Sequence, residues 1–118
     1  MLISIDTGKV TTKLPYAADY KKWIKGLSAN EYAAIKITLN QMIDGNTIHT
    51  AGWMPGSDWA ETVFNPIYLA CEKNQTRAAL LFGLIVYKIF MERTDNWACG
   101  RYQLNGKAIK SLTYFRVN

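Results

Sequence analysis

The stretch "AALLFGLIVY" at residues 78–87, continued past Lys88 by Ile89, Phe90 and Met91, is apolar at nearly every position rather than along one stripe. A helix of that kind has no face to offer water, so its neighbours must cover it from several sides. It falls short of the roughly 18–20 residues that span a bilayer, so it is expected at the centre of a globular core, with no membrane as partner. Gly83 in its middle is about 1 kcal/mol less favourable than alanine in a helix, which predicts that another backbone passes close by.

The 118 residues, 49% apolar and 19% charged, suit one globular domain over 1–118. Pro15 suits a first helical turn, and Tyr16, Tyr20, Trp23, Ile24 and Leu27 then follow at helical spacing up to the stop at Gly26. "SANE" at 28–31 is a capping box that opens a second helix, with Tyr32, Ile35, Leu39, Met42 and Ile43 as its buried stripe and Gly45 as its stop. "DWAE" at 58–61 is a second such box. Pro66 predicts a break rather than a kink, with Asn65 capping a short helix through Glu72. Asn74 or Thr76 then caps the central helix, which runs to about Arg93.

At both ends the pattern turns to strand. Asp6-Thr7-Gly8-Lys9 is turn chemistry inside "LISIDTGKVTTKL", and Asn105-Gly106 joins "WACGRYQL" to "KAIKSLTYFRV" with the residues that a two-residue hairpin turn demands. The fold class expected is α+β: four to five helices around a central apolar helix, the terminal hairpins sharing one small antiparallel sheet.

The chemistry-bearing residues are few. Cys71 and Cys99 build no disulfide framework and have no zinc spacing, which suits buried thiols in a reducing cytoplasm. Neither a secretory leader, a phosphate loop nor a dinucleotide fingerprint is present, so no cofactor and no metal are expected. A dyad of His49, the single histidine, with Cys99 or Cys71 has no local support. Glu92 and Asp95 end the central helix, where acids oppose the helix dipole and call for partners such as Arg93 or Arg101.

Two sets of residues remain as candidate sites. In the first, Trp53, Trp59 and Trp97, with Met54 and His49, either line a small-ligand pocket oriented by His49 or Asp58, or fill the core edge. The second is electrostatic. The net charge of +5 is carried at the ends: residues 1–30 hold five lysines, Lys21, Lys22 and Lys25 on one helix face among them, and 96–118 hold Arg101, Lys107, Lys110 and Arg116 with no acid. Helices followed by a basic hairpin resemble the winged-helix order, which implies nucleic-acid contact through these residues; the apolar helix before the hairpin departs from that pattern. Continuing the Asn105-Gly106 register sets Arg101 opposite Lys110, a like-charge pair that asks for an acid between them, either Glu92 or Asp95 or an external phosphate.

A small basic single-domain chain of this character is also similar to proteins encoded by bacterial integron gene cassettes, a resemblance that rests on no motif and implies no activity. The expectation is a cytoplasmic, non-enzymatic binding protein for an unknown small molecule or protein partner, with nucleic acid as the alternative partner. Its many apolar residues also suit a closed homodimer.

Overall fold

The computed structural model describes residues 1–5, 7–45, 47–50, 62–100, 103–104, 107–108 and 113–117, with 50, 103–104 and 107–108 as backbone only. Among the described residues four helices and six strands follow in the order β1 (Leu2–Ser4), α1 (Ala17–Ile24), α2 (Ala29–Asp44), β2 (Ile48–Thr50), α3 (Asn65–Ala70), α4 (Gln75–Glu92), β3 (Trp97–Gly100), β4 (Gln103–Leu104), β5 (Lys107–Ala108) and β6 (Thr113–Arg116). This is an α+β fold with a four-stranded sheet in the order β1-β3-β6-β2.

The apolar run is α4, and it is central as expected. Nine of its residues are buried, Leu81, Phe82, Ile85 and Phe90 among them, and α1, α2, α3 and β1 all pack against it. The Asn74 side chain caps it by accepting the Arg77 N–H at 3.0 Å. Pro66 breaks the chain as its chemistry requires, and α3 is a separate short helix. Its cap is Phe64 rather than Asn65, the Phe64 N–H meeting Thr62 Oγ1 instead. At the other end Glu72 and Lys73 are both left-handed, and their N–H groups bond the Leu69 and Tyr68 carbonyls, a Schellman closure with glutamate where glycine is usual.

In α2 both halves of the capping box form, Ser28 Oγ accepting from Glu31 N–H at 3.1 Å and Glu31 Oε1 from Ser28 N–H at 2.9 Å. Ile35, Leu39 and Ile43 make its buried stripe. One correction concerns α1. Tyr16 is not on its apolar face but caps it in the left-handed conformation, φ 52°, which turns the ring out of the helical row and leaves it 77% exposed.

The sheet departs from expectation more informatively. The turn around Gly8, φ 69°, does fold β1 back, with Ser4 N–H on the Lys9 carbonyl and Thr11 N–H on that of Leu2, but the return makes only one bridge, Ile3 to Val10. On its other edge β1 pairs in parallel with β3, Leu2 opposite Trp97. The shared sheet is therefore mixed rather than antiparallel. Its far edge is β2, which lacked a recognisable period because only three residues pair, His49 opposite Tyr114 at their middle.

The C-terminal hairpin has the expected register next to its turn, Leu104 opposite Lys107 and Gln103 opposite Ala108. That register would put Ser111 opposite Gly100, whereas Gly100 faces Thr113. The return arm thus holds two more residues than the outgoing arm, and the two ladders do not extrapolate to one partner for residue 101. Arg101 and Lys110 lie outside the described residues.

Two glycines give opposite predictions. A Cβ on Gly26 would stand 2.7 Å from the Ala70 Cβ and 2.9 Å from its Cα, so α1 and α3 meet there backbone to backbone. At Gly83 the expected close backbone is missing, with nothing among the described residues within 4 Å of a built Cβ. Chemical denaturation should show Gly26→Ala destabilising by about 1–3 kcal/mol and Gly83→Ala stabilising by up to ~1 kcal/mol. Equal effects at both sites would contradict the packing described.

Candidate functional site

Residues that oppose one another in a sheet share a face, so the pairings place Leu2, His49, Trp97, Cys99, Tyr114 and Arg116 on the inner face, toward α4. Phe90 of α4 stacks on Tyr114 at 4.1 Å between centroids and meets Trp97 edge to face at 4.9 Å. The His49 ring lies 5.7 Å from Trp97, and its Nε2–H donates to the Ile43 carbonyl at the end of α2, 2.9 Å away. Trp97 is 1% exposed and His49 8%. These two members of the aromatic set meet as expected, yet as packed core; Trp53, Met54, Asp58 and Trp59 lie outside the described residues.

The same registers separate His49 from Cys99, because Tyr114 stands between them on the intervening strand. Cys71 ends α3, where burial pushes its thiol pKa up, away from the reactive thiolate. No group of three or more His, Cys, Asp or Glu among the described residues is placed to hold a metal ion.

A polar knot ties α2 to the exit of α4. The Arg93 guanidinium forks onto Asp95, Nε to Oδ1 and Nη2 to Oδ2, both at 2.9 Å; it also reaches Asn40 Oδ1 at 2.7 Å and Asp44 Oδ1 at 2.5 Å. Arg93 was one of the partners foreseen for the acids that end α4. Glu92 turns the other way, to Lys36 at 3.2 Å and Lys88 at 3.9 Å. Whether either acid also meets Arg101 or Lys110 lies outside the described residues. The Met1 ammonium adds a strap, donating to the Arg93 and Asp95 carbonyls.

Beside this knot lies a solvent-open cleft of about 840 Å³. Lys36, Asn40 and Asp44 of α2 form one wall and Glu92, Arg93 and Asp95 the other, while Trp97 and Arg116 close it at the sheet end. No residue of this cleft except Trp97 belonged to the aromatic set, and only Arg93 and the two acids were singled out by their position at a helix end. A second cleft, about 730 Å³, lies across Glu92 and Arg93 from the first and is lined by Lys21, Tyr20 and Lys88. Lys22 and Lys25 are exposed on α1, and Lys107 opens β5.

Family models, curated proteins and solved structures offer no match to this chain.

The knot has a pH signature. Arg93, chiefly by its hydrogen bonds, holds the Asp95 carboxyl down to about 2, below its unfolded value of about 3.9. Its contribution is thus complete above about pH 4 and is lost as pH falls toward 2, on the order of 2 kcal/mol in all. Urea unfolding between pH 2 and 6 should show that loss in the wild type and a flatter acid limb in Asp95→Asn. Parallel acid limbs would mean that Asp95 does not titrate against Arg93.

Proposed function

We propose that this protein is a non-enzymatic binding protein that takes a small polar ligand in the cleft between α2, the exit of α4 and the end of the sheet. The observation that carries the reading is the cleft itself: concave, large enough for a small molecule, and walled by charged groups that are already fixed by one another before a ligand arrives. Preorganised polar walls lower the ordering cost of binding. A catalytic reading has less to stand on, since the imidazole is tied to the Ile43 carbonyl inside an aromatic core and both thiols are buried.

Nucleic-acid binding in the winged-helix manner would need another helix than α4, nine of whose residues are buried among its neighbours. It would fall to Lys21, Lys22 and Lys25 on α1. No helix among the described residues is long and apolar enough to cross a membrane.

Thermal unfolding against a library of small metabolites tests the reading. A ligand at a hundred times its Kd should raise Tm by roughly 10 °C, and Lys36→Trp, which fills the mouth of the cleft, should abolish the shift while leaving the ligand-free Tm within about 2 °C. No shift with any compound, together with DNA or RNA retardation at low salt that the triple Lys21→Ala, Lys22→Ala, Lys25→Ala variant loses, would replace the cleft by the α1 face.

A further inference from the structure

The sheet end of the cleft has a chemical sign. Trp97 Nε1 is buried and has no hydrogen-bond partner among the described residues, an N–H that can only donate. It lies on the side of Asp95, which also lines the cleft, outside hydrogen-bond geometry to that carboxylate. Orphaned buried donors are uncommon, and an acceptor arriving from a ligand is one way to satisfy them.

A second observation concerns Arg116. Among the described residues it has no ion-pair partner, whereas Asp44 and Asp95 face Arg93, and Glu92 faces Lys36 and Lys88. The charges that line the cleft balance, Lys36, Arg93 and Arg116 against Asp44, Glu92 and Asp95, but Arg93 and Lys36 already engage all three acids, and Arg116 is the lining cation without an ion-pair partner among the described residues. It stands directly opposite Trp97 in the β3–β6 ladder. The neighbouring bond, Val117 N–H to the Asn96 carbonyl at 2.9 Å, makes Trp97 and Arg116 a non-hydrogen-bonded pair, the kind whose side chains stand closest.

We propose that Trp97 and Arg116 form a carboxylate-binding site at the sheet end of the cleft, and that the ligand is a small organic monocarboxylate. One carboxylate oxygen accepts the indole N–H and the other the guanidinium, whose planar fork matches a planar two-oxygen group. One unpaired guanidinium matches a monoanion. A phosphate dianion would bring a second negative charge beside Asp95 and Asp44, where like charges repel.

This inference rests on the cleft reading, and one experiment separates the two. The Trp97 indole N–H resonance, assigned through its backbone, is followed while acetate, lactate or glycine is added, with inorganic phosphate and chloride as parallel arms at constant ionic strength. The expected result is a saturable shift with at least one carboxylate, weaker or absent with phosphate and chloride, and an affinity at least tenfold lower in Arg116→Ala, partly recovered in Arg116→Lys. Arg116 is exposed, so these variants keep the fold. Equal response to chloride, tighter binding of phosphate, no saturable shift, or an unchanged affinity in Arg116→Ala would each overturn the carboxylate site. If library ligands still raise Tm and lose that effect in Lys36→Trp, the cleft stands without it; if they do not, both fall.

Discussion

One guanidinium holds the two halves of this molecule in register. Arg93 stands where α4 ends, and four of its N–H groups are spent on a helix that precedes it by some fifty residues and on the turn that follows it. Such a fork is directional in a way that apolar packing is not, because each bond fixes an angle as well as a distance. The exit angle of the chain from α4 is thereby set. From it follows the position of Trp97 against Phe90, the placing of β3 along the core, and the wall of the cleft. Where Arg93 and Asp95 are partly buried, the network stabilises best when complete, since a lone carboxylate or guanidinium left in the same place is costly.

The core and the knot divide the work. Leu81, Phe82, Ile85 and Phe90 supply non-directional burial around α4, which favours compactness but leaves helices free to slide and rotate. The capping box at Ser28, the Schellman closure at Glu72 and the fork at Arg93 remove that freedom at three helix ends. Polar groups gathered for this structural reason also leave a concave polar surface, so the cleft is partly a by-product of how α2 is fastened.

Local chemistry made much of this legible in the sequence. Ser28 with Glu31, Asn74, the break at Pro66 and the pairing of Leu104 with Lys107 each depend on residues within a few positions of one another. The parallel pairing of Leu2 with Trp97 does not, and no spacing within either strand announces it. Tyr16 was misplaced because periodicity cannot see a left-handed residue, and Gly83 because propensity records a loss without saying whether anything compensates it. The cleft was hidden for a reason of register. Carried back from Asn105-Gly106, the hairpin pairs Trp97 with Tyr114, whereas the two extra residues of the return arm bring Arg116 opposite it. Large rings drew attention to Trp97 for its size, while what distinguishes it at the cleft is a buried indole N–H without a partner among the described residues.

The strand order also carries a consequence for how the chain comes into being. The two central strands, β3 and β6, follow α4 in the chain, and the two edge strands, β1 and β2, are made before α4 exists. On the ribosome the helices can gather around one another while β1 and β2 wait, because each finds its sheet partner only once the segment after α4 has cleared the exit tunnel. A pause or truncation within that segment leaves both strands with bare edges and the Phe90 side of α4 uncovered, the form in which nascent chains are captured by chaperones or by each other. Completion of the sheet therefore follows the gathering of the helices, once β6 takes its place between β3 and β2.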